Sequence, residues 1–94
     1  MEKYITIEEI IELVKLQSTT NQKEIIIALT NCNGGRWKNK AYYQFISSKS
    51  ANQVGSEWQF ETSVRLEHRK KGTIVVDILK DSRIGGFEFL DLLD

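Results

Sequence analysis

The residue types that most often perform catalysis are scarce in this sequence. The chain of 94 residues contains one histidine, His68, and one cysteine, Cys32. A cysteine beside a histidine can act as a nucleophile that is activated by a base. Each of the two residues is predicted at the end of a strand, and a simple back-and-forth sheet would place both ends at one edge. Because lone cysteine and histidine residues are usually structural, we expect that role for both.

No other catalytic, cofactor or metal motif is present. The sequence lacks a glycine-rich phosphate loop and a nucleophile-elbow pattern. It also lacks the spacing of Cys, His, Asp and Glu that typically holds a metal ion. We therefore predict a protein that is not an enzyme and that needs neither a cofactor nor a metal.

Carboxylates are more numerous, and four are predicted on the wet face of one sheet: Glu57, Glu61, Glu67 and Asp77. Paired carboxylates can act as acid and base where burial or mutual repulsion shifts their pKa values. Nothing in the surrounding sequence indicates burial. We therefore expect a solvated face with ordinary surface pairing to Arg65, a face that could also meet a basic partner.

A third group of residues combines cations with an aromatic side chain. In an up-and-down sheet, alternate connections lie at the same end, so residues 34–40 and residues 69–72 are predicted to share a rim. This rim gathers six of the thirteen Lys and Arg residues around one tryptophan: Arg36, Trp37, Lys38, Lys40, Arg69, Lys70 and Lys71.

Such a predicted rim suits two kinds of partner. A phosphate backbone with an unstacked base needs charge and a ring for stacking. An acidic protein surface needs the same side chains, since tryptophan and arginine are frequent hot-spot residues. The alternative is a loop that is lysine-rich for solubility, with Trp37 folded back onto the sheet edge.

The element that organises the chain is a strand predicted over residues 57–68. Apolar and polar side chains alternate there, and only a strand sorts them so cleanly onto two faces. An antiparallel sheet with one packed face follows. Further strands are predicted over residues 73–79 and 84–92; the second is read as a strand, not a terminal helix. Its paired glycines, Gly85 and Gly86, predict a bulge or a close backbone approach.

The N-terminal part predicts a helix that covers the packed face. Thr6 can cap this helix, Glu9 can complete a capping box, and Ile5 can pack onto Ile10 as a staple. After a polar stretch, the β-branched run over residues 24–30 is predicted as an interior strand. Residues 41–47 are predicted as an aromatic strand, and residues 47–56 as a loop.

These elements predict a single α+β domain over residues 1–94. The N-terminal amphipathic helix packs on one face of an antiparallel, roughly five-stranded meander sheet. A meander has two unpaired edges, so a homodimer through an edge strand is one possible assembly.

Composition excludes several classes of protein. Hydrophobic residues make up 40% and charged residues 28% of the chain, which is typical of globular proteins and not of disordered ones. No apolar run approaches the roughly 20 residues that span a bilayer, and no secretory signal is predicted. A lone cysteine suits a reducing compartment, so a cytoplasmic protein is predicted. A bacterial or phage origin is predicted as well, by analogy of size and class and not from composition.

A small protein of zero net charge with no catalytic motif is typical of binding modules. We predict a protein-binding inhibitor or adaptor of the immunity or anti-defence type. The alternative is a nucleic-acid-binding protein that uses the rim around Trp37, although zero net charge argues against coating by bulk charge. An enzyme with an unrecognised pocket comes third.

Overall fold

The fold places two helices on one face of an antiparallel sheet. The computed structural model describes residues 4–17 and 20–93. Helices α1 (Ile7–Leu16) and α2 (Gln22–Asn31) come first. Five strands follow, and a 3-10 turn over Leu90–Leu92 ends the fold: β1 (Arg36–Trp37), β2 (Tyr42–Gln44), β3 (Phe60–His68), β4 (Gly72–Leu79) and β5 (Ile84–Phe89). The predicted α+β class, N-terminal helix and five-stranded antiparallel sheet are confirmed.

Helix α1 begins as its sequence predicts. Thr6 is the N-cap, and its side-chain oxygen accepts a hydrogen bond from the backbone N–H of Glu9 at 3.1 Å. Ile5, Ile10 and Val14 are buried in the core. Neither α1 nor α2 is long or apolar enough to cross a bilayer, and no other described residues form such a helix.

The predicted strand over residues 24–30 is wrong, because these residues belong to helix α2. A short apolar run carries no period that separates a strand from a buried helix. Here packing decides: Ile25 and Leu29, one helical turn apart, are buried against α1 and the sheet. Ile27, on the other side of the helix, is 52% exposed. Tertiary contact therefore overrides the strand preference of β-branched residues.

The strand order is β1-β2-β5-β4-β3, and every neighbouring pair is antiparallel. Up-and-down succession holds from β1 to β2 and from β3 through β5. It is interrupted once, because β5 lies between β2 and β4. The long connection over residues 45–59, which contains the predicted loop, carries the chain to the far edge.

The core lies between the helices and one face of the sheet. Phe87, Phe89, Val76, Ile74 and Leu66 are buried on this face. The alternation predicted for residues 57–68 is only partly expressed, since β3 is an edge strand with a register shift between Phe60 and Thr62. Phe60 consequently remains 40% exposed.

The paired glycines of β5 have the predicted role. A side chain on Gly85 would meet the ring of Trp58 at 2.7 Å, and one on Gly86 would overlap the carbonyl oxygen of Tyr43. The β4–β5 register also shifts here, between Asp77 and Ile78. Both a bulge and a close backbone approach are therefore confirmed. The strand itself ends at Phe89, so the last predicted residues form the 3-10 turn.

Candidate functional site

The strand order brings parts of the two predicted basic segments to the same end of the sheet. Strands β2 and β4 are each antiparallel to β5, which lies between them. They are therefore parallel to each other and begin at the same end. Residues 38–41, which precede β2, share that end with residues 69–71, which precede β4. The segment over residues 34–35 precedes β1 and lies at the opposite end.

Trp37 lies at this end within a group of aromatic rings. Its ring centroid is 5.3 Å from that of Tyr43, 5.4 Å from that of Phe89 and 6.1 Å from that of Tyr4. These separations are typical of favourable aromatic pairs. Trp37 nevertheless remains 36% exposed. The structure thus presents part of a large apolar side chain that its neighbours hold in place.

Two lysines from distant segments flank these rings. Lys71 Nζ lies 4.7 Å from the ring centroid of Tyr4, a cation–π distance. Lys40 lines a shallow depression of about 500 Å³ together with Tyr4, Trp37, Asn39 and Leu92. We call Tyr4, Trp37, Lys40, Lys71 and Leu92 the aromatic rim. The aromatic rim contains residues from both the β1–β2 and the β3–β4 connections. The sequence predicts this common position for Trp37, Lys40 and Lys71.

The other four predicted binding residues lie outside the aromatic rim. Arg69 and Lys70 are exposed at the tip of the β3–β4 turn, next to Lys71. Arg36 pairs with Gln44 across β1 and β2. Because the neighbouring Tyr43 faces the core and side chains alternate along a strand, Gln44 and Arg36 face away from the helices. Lys38 lies on that side too, because its Nζ and the side-chain amide of Gln44 both bond the hydroxyl of Ser48. Arg36 and Lys38 thus form a separate basic surface.

His68 stabilises the basic turn. Its Nδ1 accepts hydrogen bonds from the backbone N–H groups of Lys70 and Lys71, each at 3.0 Å. Its Nε2 lies 3.4 Å from a carboxylate oxygen of Glu9. Both ring nitrogens are therefore engaged in contacts within the fold, as the structural role requires.

Cys32 lies at the C-terminal end of α2. Its thiol donates a hydrogen bond to the carbonyl of Leu29 at 3.1 Å, and burial raises its pKa to about 11. The reactive thiolate is disfavoured at neutral pH for that reason. The contacts of Cys32 and His68 do not assemble a nucleophile with its base.

The carboxylates differ from their prediction at one residue. Glu57, Glu61 and Glu67 are exposed as expected, but Asp77 is only 6% exposed. Burial raises the pKa of Asp77 to about 8, and so do the hydrogen bond that its protonated carboxyl donates to Glu88 and the negative charge of Glu88. Glu88 and partial burial also raise the pKa of Tyr42. The prediction of a fully solvated face is therefore wrong for Asp77.

The expectation that nothing in the surrounding sequence indicates burial overlooks one signal. Asp77 interrupts the apolar run of β4, where residues 74–76 and 78–79 are all aliphatic, and a carboxylate among such residues is typical of a buried polar position. Glu88 is harder to find, because its pairing with Val75 places it near Asp77 only after β4 and β5 align. Across the described ranges, no three Asp, Glu, His or Cys side chains are grouped to hold a metal ion.

Comparison with known proteins gives no further assignment for this site. Neither a protein family, nor a curated protein, nor a solved structure matches the chain. Function is therefore inferred from the geometry of the aromatic rim.

Proposed function

We propose that the protein is a non-enzymatic binding module and that its aromatic rim contacts an acidic surface of another protein. The observation that carries this proposal is the setting of Trp37: three rings pack against its indole, yet 36% of the residue is exposed beside lysines. An ordered aromatic side chain loses little conformational entropy on binding. Tryptophan surrounded by cations is typical of interface hot spots.

Two features favour a protein partner over a nucleic acid. A base that stacks needs a free aromatic face, whereas Tyr4, Tyr43 and Phe89 already surround the Trp37 ring. The charge near the rim is also mixed, since burial and then the negative charge of the nearby Asp91 carboxylate raise the pKa of Tyr4. A carboxylate at this place opposes a phosphate backbone but can pair with a basic residue at the margin of a protein interface.

Size and charge alone support the more specific proposal of what kind of binding module this is. A compact chain of zero net charge suits an inhibitor or adaptor that acts in the cytoplasm of a bacterium or on behalf of a phage.

The double charge reversal Lys40→Glu/Lys71→Glu is expected to weaken binding of the partner by roughly 30-fold or more. Two like-charge contacts with an acidic surface would cost about 2 kcal/mol in total, which corresponds to that factor. The partner is first captured from a nuclease-treated lysate of the source cell and identified by mass spectrometry. Its dissociation constant is then measured for wild type and variant.

Arg36→Glu/Lys38→Glu is the matched control, because it changes the net charge equally on the separate basic surface. We expect it to alter the dissociation constant less than about threefold. Equal losses in the two variants would contradict the proposed site. A different result would support the nucleic-acid alternative: nuclease treatment abolishes capture of the partner, and binding weakens steeply as salt is added.

A further inference from the structure

Asn33 and Gly34 form an exposed link between helix α2 and strand β1. The helix ends at Asn31, and the strand begins at Arg36. Asn33 and Gly34 are both exposed. Asparagine is a thermally labile residue, because the backbone nitrogen of the residue that follows it can attack its side-chain amide. A glycine in that following position has no side chain to obstruct the attack.

In the part of the chain that the structure describes, nothing engages the two reacting groups of this link. Within residues 4–17 and 20–93, neither the Asn33 side chain nor the Gly34 N–H is hydrogen-bonded. Gly34 has a positive φ of 72°, and no atom beyond the adjacent residues lies within 4 Å of the place where a side chain would begin. The Asn33 amide can therefore rotate towards the Gly34 nitrogen without breaking a hydrogen bond or displacing a neighbour.

The other four asparagines are held differently. Asn31 lies within helix α2, and Asn21 is the N-cap of that helix. The Asn39 side chain accepts hydrogen bonds from two backbone N–H groups, and the Asn52 side chain accepts one. Each of the four is followed by a residue that carries a side chain. Sequence and fold therefore both single out Asn33.

We propose that Asn33 of the folded protein deamidates spontaneously to aspartate and isoaspartate. The Gly34 nitrogen gives up its proton and forms a bond to the side-chain carbonyl carbon of Asn33, and the amide nitrogen leaves with that proton as ammonia. Water then reopens the resulting five-membered imide. Opening at the side-chain carbonyl gives aspartate, and opening at the backbone carbonyl gives isoaspartate.

The new carboxylate lies beside the C-terminal end of α2. Asn33 is two residues beyond the last residue of this helix, whose last turn contains no basic residue. The carbonyl groups at a helix C-terminus carry partial negative charge, so a carboxylate there is unfavourable. Deamidation therefore lowers the stability of the fold. Residues 34–35 lie at the end of the sheet opposite the aromatic rim, so binding through the rim is unaffected.

The test follows each asparagine of the folded full chain during prolonged incubation at mildly alkaline pH. Peptide mass spectrometry after digestion at acidic pH measures the loss of each amide, and an isoaspartate-specific methyltransferase detects the second product. Circular dichroism verifies folding. We expect the amide of Asn33 to be lost at least about tenfold faster than that of any other asparagine.

Two variants and an unfolded sample are the controls. Gly34→Ala is expected to slow the loss about tenfold or more, since the added methyl group obstructs the attack. Asn33→Gln would need a larger ring and is expected to retain its amide. Loss in guanidinium chloride alone would show that the fold protects Asn33 and would overturn the proposal. Equal loss at all five asparagines, or an unchanged rate in Gly34→Ala, would overturn it as well.

Asn33→Asp and Asn33→Lys test the consequence for stability. The acidic variant reproduces the charge of the product and is expected to lower the folding equilibrium constant about two- to fivefold relative to wild type. The basic variant is expected to raise it, because a cation at a helix C-terminus is favourable. Urea unfolding measures both. Equal stabilities for the two variants would contradict the predicted effect of the charge on α2.

Discussion

Asp77→Asn is expected to abolish a large dependence of stability on pH. Asp77 is 6% exposed, and its pKa of about 8 in the fold compares with 3.8 for an ordinary aspartate. Between these pH values the folded chain retains a proton that the unfolded chain releases. The stabilisation is therefore complete below about pH 4 and is lost as the pH rises towards about 8. One pKa unit corresponds to about 1.4 kcal/mol, so a shift of this size amounts to several kcal/mol.

Asparagine keeps the shape of the protonated carboxyl but has no proton to release in this range. The free energy of unfolding of the variant, minus that of wild type, should therefore increase by several kcal/mol from about pH 4 to about pH 8. Urea unfolding across this range measures it. Glu67→Gln, at an exposed carboxylate, is the control and should follow wild type. Parallel curves for Asp77→Asn and wild type would show that Asp77 does not hold this proton.

Phe89→Ala is expected to lower the free energy of unfolding by about 3 to 5 kcal/mol, because it leaves a cavity in the core. Phe89 is fully buried, and its ring centroid lies 5.1 Å from that of Tyr4 and 5.4 Å from that of Trp37. The substitution removes the support beneath the aromatic rim as well. Urea unfolding gives the loss of stability, and near-ultraviolet circular dichroism reports the loosening of the rings.

Phe60→Ala provides the comparison for this substitution. Phe60 is 40% exposed on the edge strand, so its truncation should cost less than about 1 kcal/mol. Similar losses for the two variants would mean that Phe89 is not the main support of the aromatic rim.

The elements that the sequence predicts best are those with local signals. Thr6 and Glu9 mark the start of α1 through a hydrogen bond three residues apart. The β3–β4 hairpin is marked by alternating side chains and by the turn at Gly72, which adopts a positive φ of 74°. Such signals act within a few residues and are therefore readable from the chain itself.

The sequence-based predictions are wrong where contacts between residues far apart in the chain determine the structure. Helix α2 has the β-branched composition of a strand, and only its packing against α1 and the sheet selects the helix. The place of β5 between β2 and β4 depends on pairing across residues far apart in the chain. Burial of Asp77 depends on the same pairing.

The rim is predicted from a simple up-and-down order of strands. Three of its residues, Trp37, Lys40 and Lys71, nevertheless lie together in the observed order, in which β5 lies between β2 and β4. The reason is that β2 and β4 both pair with β5, so the connections that precede them lie at one end. Arg36 was misplaced, because it lies on the opposite face from Trp37 in a strand of two residues. Tyr4, which connects Trp37 to Lys71, was not predicted as a site residue, since it precedes every helix and strand.

The proposed binding surface is tested most directly by photo-crosslinking in the source cell. A photoreactive amino acid is introduced in place of Lys40 in the aromatic rim, or in place of the exposed Lys70 next to the rim residue Lys71. The exposed helix positions Lys15 and Lys23 serve as controls. We predict that Lys40 and Lys70 yield the same crosslinked protein, resistant to nuclease, and that the helix positions do not. Crosslinks to that protein from the helix positions alone, or crosslinks to nucleic acid alone, would contradict the account.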